Sequence, residues 1–344
     1  MLAALYRAKG AAQDVLRIEE LPTPVPGPGE VRVVLAFSGV NPSDVKSRAG
    51  LSNPAMEFAL VVPHSDGAGV VDAVGPGVAA DWVGRRVWVY NGQWGRAHGT
   101  AAQAIVLPLA QVVPLPDAVS FEVGSSIGIP LMTAWHAVAA CGSLLGKVVL
   151  VPGAAGAVGQ YVTQLARRAG ARVIASVSSE AKAALARTLG ADEVIRYRDE
   201  DLGQRVRALT GGRGVDAVIE VDAAANAGRY GEILAFGAKV VVYGSGQPTI
   251  GVPFRPMIVN FATLYFFIVY RLGGEPLQQT TRGIGELLHA GALVHPATRV
   301  YPLQEIAAAH AEVERGADAK VLLRLQAPGR RLPSPPGARA APAT

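Results

Sequence analysis

The chain has 344 residues, half of them apolar and 17% charged, which suffices for the cores of two domains and excludes a largely disordered chain. Its net charge of +5 is concentrated at one end: Pro328–Thr344 carries Arg330, Arg331 and Arg339 and no acid, leaving 29 basic against 27 acidic residues in the body. A near-neutral body without a basic stripe argues against a nucleic-acid partner, and the single cysteine, Cys141, excludes internal disulfides and cysteine-rich zinc sites.

Residues 1–119 contain short β-rich runs, Val31–Phe37, Val70–Val74 and Arg86–Val89, punctuated by Pro22, Pro24, Pro26, Gly27, Pro28 and Gly29 and then by Gly75-Pro76-Gly77. Short strands with frequent turn signals predict a compact, largely antiparallel β domain. From Lys147 the pattern alternates. Val148–Val151 is an apolar run followed by glycines and a helical stretch through Arg168; Arg172–Val177 leads to a helix through Leu189. Glu193–Tyr197, Val215–Val221 and Lys239–Tyr243 follow as strands separated by helical segments. Fully apolar strands alternating with helices predict an α/β doubly wound parallel sheet.

The longest apolar stretch, Met257–Tyr270, would span about 21 Å as a helix, short of the ~30 Å hydrocarbon core. It also contains Asn260 and Thr263, and reads as a buried or interface segment, with no membrane partner. Met1–Tyr6 is too short for a secretory signal, so a soluble, cytoplasmic protein is expected. The final segment, with five prolines, is expected to be disordered.

Directly after the strand Val148–Val151 comes Gly153-Ala154-Ala155-Gly156-Ala157-Val158-Gly159. Glycines at a strand-to-helix turn let the backbone approach a pyrophosphate, and the helix N-terminus then offers free N–H groups and the positive end of its dipole. The spacing is G-x-x-G-x-x-G, and its setting between a strand and a helix gives it meaning. A helix face of Val158, Val162, Leu165 and Ala166 is ready to pack on the sheet.

The second strand ends Ala175-Ser176-Val177-Ser178-Ser179, without the acid that accepts hydrogen bonds from an NAD ribose diol. Ser178, Lys182 and Tyr197 suit a 2′-phosphate, which favours NADPH. Glu180 stands against this unless it serves only as a first-turn helix acid. Gly244 and Ser245, after the strand Lys239–Tyr243, join Gly153, Ala155, Gly156, Ala157, Val158 and Gly159 in the expected cofactor set.

Several stretches resemble one family: Ser38-Gly39-Val40-Asn41-Pro42-Ser43-Asp44, Ser65-Asp66-Gly67-Ala68-Gly69-Val70, Gly128-Ile129-Pro130 with Thr133-Ala134, the glycine turn, and Tyr301-Pro302-Leu303 with Ala308-Ala309-His310. Together they are similar to the zinc-free quinone oxidoreductases, the zeta-crystallin-like group of the medium-chain dehydrogenase/reductase superfamily. The resemblance implies a GroES-like β domain from residues 1–119 and 295–327, a Rossmann NADPH-binding domain from 120–294, and a tail at 328–344. It further implies an active site in the interdomain cleft, and homodimers or homotetramers through the dinucleotide domain with Phe261–Tyr270 near the interface.

Against the motifs of zinc-dependent relatives, Asn41 stands where the first cysteine ligand would be, Ser65 where the histidine would be, and the third position falls near Gly128. No metal is therefore expected. His64 stands one place early, and His98, His136, His289, His295 and His310 show no ligand spacing and read as ordinary packed or surface histidines.

The activity implied is hydride transfer from NADPH to a quinone, with reduction of an enone or alkenal double bond as the alternative, and cofactor binding with little turnover as a third reading. By the same resemblance Asn41, Lys46 and Thr133 form the catalytic set. Asn41 reads either as an amide donor to a substrate carbonyl or as a turn stabiliser before Pro42. Lys46 replaces a family tyrosine and reads either as a proton donor or as a solvated lysine. Thr133 lies near the nicotinamide or serves a structural helix face. Tyr90 and Trp94 read as an aromatic wall or as loop anchors.

Overall fold

The computed structural model describes residues 1–326, so the segment expected to be disordered lies outside the described residues. The chain forms two compact units: Met1–Ile129 with Gly285–Ala292 and the chain from Pro296 onward, and Pro130–Ile284 with Leu293–His295.

In the first unit β1 (Leu2–Leu5) and β2 (Arg17–Glu20) pair antiparallel across the one-turn helix α1 (Ala12–Val15). The long strand β3 (Glu30–Gly39) precedes α2 (Pro42–Ala49) and pairs antiparallel with β4 (Asp66–Val74). Strands β5 (Arg86–Val89), β6 (Ala104–Pro108) and β7 (Val112–Pro114) follow; β4, β5 and β7 continue the sheet while β6 pairs with β3. Alternation explains the packing, because Val31, Val33 and Leu35 of β3 are buried on one face. The helix α3 (Phe121–Ala140) carries Pro130 in its interior and belongs to both units.

The second unit is a six-stranded parallel sheet. Its elements are β8 (Val148–Pro152), α4 (Ala157–Arg168), β9 (Arg172–Val177), α5 (Glu180–Thr188), β10 (Glu193–Arg196), α6 (Leu202–Leu209) and β11 (Val215–Glu220). Two short helices, α7 (Ala223–Asn226) and α8 (Tyr230–Ile233), lead to β12 (Leu234–Val242), then α9 (Phe254–Val259), β13 (Thr263–Phe266) and α10 (Gly274–His289), whose residues from Gly285 onward belong to the first unit. The strand order β10-β9-β8-β11-β12-β13 reverses direction between β8 and β11, the switch point of a doubly wound sheet. Val149, Leu150, Val173, Ile174, Val218, Ile219 and Val240 are fully buried, as strands covered on both faces must be.

The chain then returns to the first unit. β14 (Thr298–Pro302), α11 (Ile306–Glu314) and β15 (Lys320–Arg324) follow, with β15 antiparallel to β3 and parallel to β14.

Two sequence expectations need correction. Strand β12 starts at Leu234, five residues before the expected Lys239, because the ladder with β11 tolerates a register shift where Gly237 takes a positive φ of 70°. Met257–Tyr270 is not one element: α9 ends at Val259, Phe261 takes a left-handed φ of 51°, and β13 begins at Thr263. Among the described residues no helix is long and apolar enough to cross a membrane.

Candidate active site

The glycine turn lies between the C-terminal ends of β8 and β9. Gly153 and Ala154 donate their N–H groups to the Ser176 carbonyl at 3.0 and 3.3 Å, so the turn hangs on the end of the second strand. Gly153 has φ +65°, and a Cβ on Gly159 would lie 2.2 Å from the Gly153 carbonyl oxygen, so both positions demand glycine. Gly156 caps α4 without a side-chain hydrogen bond, and the first turn holds no acid. The first-turn amides of Ala157, Val158 and Gly159 have no intrahelical acceptor. Val162, Leu165 and Ala166 are buried against the sheet, and Val158 is half-buried. Gly244 accepts from Ala223 N at 3.1 Å, and Ser245 Oγ donates to the Gln247 carbonyl at 2.6 Å, at the matching end of β12. A bare helix N-terminus beside close-packed glycines fits a dinucleotide pyrophosphate.

Ser178 is half-buried just past β9, and exposed Tyr197 is tied to that strand by its N–H to the Val177 carbonyl at 3.1 Å. Lys182 is half-buried on α5, whose N-cap Ser179 accepts from Lys182 N at 3.4 Å. Glu180 is bound by Arg187 at 2.9 Å and Arg196 at 3.6 Å, and the Arg187 hydrogen bond holds its carboxyl below the usual range. The acid that follows this strand end is thus engaged by arginines, a partnership that sequence reading missed.

In the first unit Asn41, at the N-cap of α2, sits in a buried polar cluster. Its backbone N–H donates to Asp44 Oδ2 at 2.7 Å, and its Nδ2 donates to Asp66 Oδ2 at 2.8 Å. Lys320 Nζ donates to Asn41 Oδ1 at 2.5 Å and to the Val40 carbonyl at 3.0 Å, and lies 3.4 Å from Asp66 Oδ2. Asp66 Oδ1 accepts the Ile129 N–H at 2.7 Å. A Cβ on Gly128 would fall 2.3 Å from Asp66 Oδ1, so that glycine lets α3 reach the carboxylate. Burial pushes Asp44 up to about 7, raises Asp66 and lowers Lys320; the Asp66–Lys320 attraction opposes both of the latter shifts.

The structure brings neither of the other expected catalytic residues into this cluster. Lys46 is exposed on α2, and Thr133 is buried on α3 in the second unit. Tyr90 is a core anchor, 2% exposed, with its hydroxyl on the Ala110 carbonyl at 2.6 Å, whereas Trp94 is 42% exposed. Sequence reading missed Asp44, Asp66 and Lys320. The Asn41-x-x-Asp44 spacing is a helix-start signal that would have found the first; nothing local marks Lys320, 279 residues from Asn41.

His64 and His310, which the sequence reads only as packed or surface histidines without ligand spacing, have their Nε2 atoms 2.8 Å apart, and both rings are fully buried. His64 Nδ1 contacts Ser38 Oγ at 2.9 Å, and Ser38 contacts Thr100 at 2.7 Å. Burial holds His64 well below its usual value and His310 at about 3, so both rings are neutral. His136 meets the Tyr265 hydroxyl at 3.1 Å and His295 the Tyr161 hydroxyl at 3.0 Å. Among the described residues no group of three or more His, Cys, Asp or Glu could hold a metal ion. Burial pushes the Cys141 thiol up to about 12, which leaves it unreactive at neutral pH.

A β-rich unit with a doubly wound dinucleotide sheet inserted into its sequence is the architecture of medium-chain dehydrogenase/reductases. Residues 27–117 match the alcohol dehydrogenase GroES-like domain and residues 157–288 the zinc-binding dehydrogenase family. The chain is 30% identical to the quinone oxidoreductase of Sus scrofa over 94% of its own length and 98% of the relative's. It therefore belongs to the quinone oxidoreductase family of that superfamily. Among solved structures, an NAD-dependent alcohol dehydrogenase is 32% identical with a TM-score of 0.84, covering 95% of this chain and 100% of its own. Mycobacterial Rv1454c complexed with NADPH is 29% identical with a TM-score of 0.83, covering 94% and 99%.

Proposed function

We propose that this chain is an NADPH-dependent quinone oxidoreductase that works without zinc. The observation that carries the reading is the Asn41–Asp66–Lys320 cluster, which puts a polarised carboxamide and an ammonium where zinc-dependent relatives have a metal ligand. Asn41, Ser65 and Gly128 offer no thiolate or imidazole, and Lys320 Nζ already takes Asn41 Oδ1. That donor set does not fit zinc.

NADPH, when bound, supplies a hydride to the conjugated acceptor, and a proton from water completes its two-electron reduction. The chain's own part is to hold and orient. The α4 N-terminus with Gly153, Ala155, Gly156, Ala157, Val158 and Gly159 would hold the pyrophosphate, and Gly244 and Ser245 would flank it. Ser178, Lys182 and Tyr197 would take the 2′-phosphate. Asn41 would donate an amide hydrogen bond to the acceptor carbonyl as negative charge develops there. Lys46 and Thr133 complete the proposed catalytic set. The proposed functional division is 1–119 with 295–327 and 120–294, in a cytoplasmic protein with no nucleic-acid partner.

The test follows NADPH consumption with 1,4-benzoquinone, 9,10-phenanthrenequinone, an enone and an alkenal, with NADH in parallel. Quinone turnover with NADPH preferred is expected; turnover confined to the enone or alkenal would move the chain to the alkene reductases. In the same assay Lys182→Ala should weaken NADPH binding by roughly 10- to 100-fold, the worth of a charge-assisted hydrogen bond. NADH binding should stay within about twofold, because the ribose diol has no use for that ammonium. An equal loss for both cofactors would remove Lys182 from the site.

A homodimer or homotetramer is also proposed. β13 is the edge of the parallel sheet, and Phe236, Phe254, Ile258, Val259, Phe261 and Phe266 around it are all more than half exposed. An edge strand amid such an apolar surface is a template for pairing. Phe261→Glu/Phe266→Glu should sediment as a monomer where the wild type sediments as a dimer or tetramer. A wild-type monomer would refute the assembly.

A further inference from the structure

We propose that Lys320 is a positioning residue for this reduction: with Asp66 it fixes the Asn41 carboxamide so that one N–H of Nδ2 is held for the acceptor carbonyl. The inference rests on the reading of Asn41 given above and adds the residues that make it work.

A carboxamide has two ends of nearly equal size, and its terminal torsion is broad and roughly two-fold. Only its partners decide which end carries the donors. Here those partners are unambiguous. An ammonium can only donate, so Lys320 Nζ at 2.5 Å requires oxygen at Oδ1. A carboxylate accepts, so Asp66 Oδ2 at 2.8 Å requires nitrogen at Nδ2.

The polar groups of the cluster can be counted. The three hydrogens of Lys320 face Val40 O, Asn41 Oδ1 and Asp66 Oδ2. Asp66 accepts from Ile129 N, Asn41 Nδ2 and Lys320. Asn41 Oδ1 is taken by Lys320, and one hydrogen of Nδ2 by Asp66. The second Nδ2 hydrogen is within reach of the Asp44 carboxyl, which the Asn41 side chain also bonds, and it is the donor that the acceptor carbonyl would share. The ammonium on Oδ1 withdraws electron density through the amide and strengthens that donor.

The backbone makes room for this arrangement. A Cβ on Gly39 would lie 2.2 Å from the Ser125 carbonyl, 3.1 Å from Asp66 Cβ and 3.3 Å from Lys320 Cε. Lys320 is 4% exposed and Asp66 0%. A packed apolar pair would fill the same volume without desolvating two charges, so packing alone does not account for the pair.

The experiment combines kinetics with a signal from the amide itself. Lys320→Met, Asn41→Ala and their combination are assayed with NADPH and 9,10-phenanthrenequinone. Because Lys320→Met strands the Asp66 charge, Asp66→Asn/Lys320→Met is run beside it. Expected is a roughly 10- to 100-fold fall in kcat with the KM for NADPH within about twofold. Expected too is no further loss when Lys320→Met is added to Asn41→Ala, since the lysine acts through the amide. Multiplying losses, or an unchanged kcat, would overturn the proposal.

The chain has five asparagines, so selective ¹⁵N-asparagine labelling resolves their side-chain amides, with Asn41 identified by its disappearance in Asn41→Ala. Lys320→Met should shift the Asn41 amide pair while the NADPH affinity holds. An unmoved pair overturns the clamp whatever the turnover. A wild type inert toward all acceptors overturns the reading of Asn41 as donor, and the spectra then judge the clamp alone.

Discussion

Gly159→Ala is expected to weaken NADPH binding by about 100-fold and to destabilise the dinucleotide unit by about 1–3 kcal/mol. The added methyl would sit 2.2 Å from the Gly153 carbonyl oxygen and 2.8 Å from Ala154 Cα, and both are backbone atoms. A flexible side chain can swing away from such a contact, but this turn is tied by Gly153 N and Ala154 N to the Ser176 carbonyl. Relief therefore has to come from moving α4 off the sheet or opening the turn. Either movement carries the first-turn amides away from the place where a pyrophosphate would lie, and an ångström-scale misplacement of such donors is costly. Gly156→Ala is the internal control. Its Cβ would lie 3.3 Å from Gly153 O at an ordinary φ of −73°, so the fold should be nearly unaffected. Cofactor fluorescence titration and urea unfolding measure both effects. Gly159→Ala binding NADPH within threefold of wild type would refute the assigned pyrophosphate turn.

The second large effect is acid sensitivity from the His64–His310 pair. Both pKa values lie below the unfolded value of about 6.5, His310 at about 3, so in between the unfolded chain binds protons that the folded chain refuses. The contribution of His310 is complete above about pH 6.5 and is lost as the pH falls toward about 3, and that of His64 is lost in the same direction. Each pH unit in that window costs about 1.4 kcal/mol for His310, so two units cost about 3 kcal/mol from that ring, and His64 adds to the loss in the same direction. Asp44 acts in the opposite sense. Its folded value of about 7 lies above the ordinary 3.8, so its contribution is present at low pH and is lost as the pH rises from about 4 to 7. Asp66 and Glu220, also raised by burial, follow Asp44.

The wild-type curve alone mixes these terms, and a paired variant separates them. His64→Asn/His310→Leu removes both imidazoles, and asparagine accepts the left-handed φ of 77° at position 64. Urea unfolding at pH 6.5, 5.5 and 4.5 should show the wild-type advantage shrinking by about 3 kcal/mol or more across the series. A constant difference would mean that the rings are not held neutral.

What could be read from residues in order was whatever local periodicity and local chemistry determine. Val148–Val151 and Arg172–Val177 are apolar runs too short for helices and bounded by turns, so strand identity and the doubly wound sheet were legible. The glycine turn was legible for the same reason, since a strand, a tight turn and a helix N-terminus are contiguous. The β12 start and the break at Phe261 were not, because a register shift and a left-handed residue answer to neighbouring strands.

By itself the sequence determined the α/β architecture, the dinucleotide turn, and the absence of cysteine and histidine from the positions where zinc-dependent relatives bind metal. Tertiary structure alone decided that Lys320 reaches Asn41, that His64 meets His310 across 246 residues, and that Glu180 is engaged by Arg187 and Arg196. Each of these contacts depends on strand pairing or helix packing that brings distant positions within hydrogen-bond range. Their energies come from desolvating charges and rings inside a closed core, and no spacing along the chain encodes that.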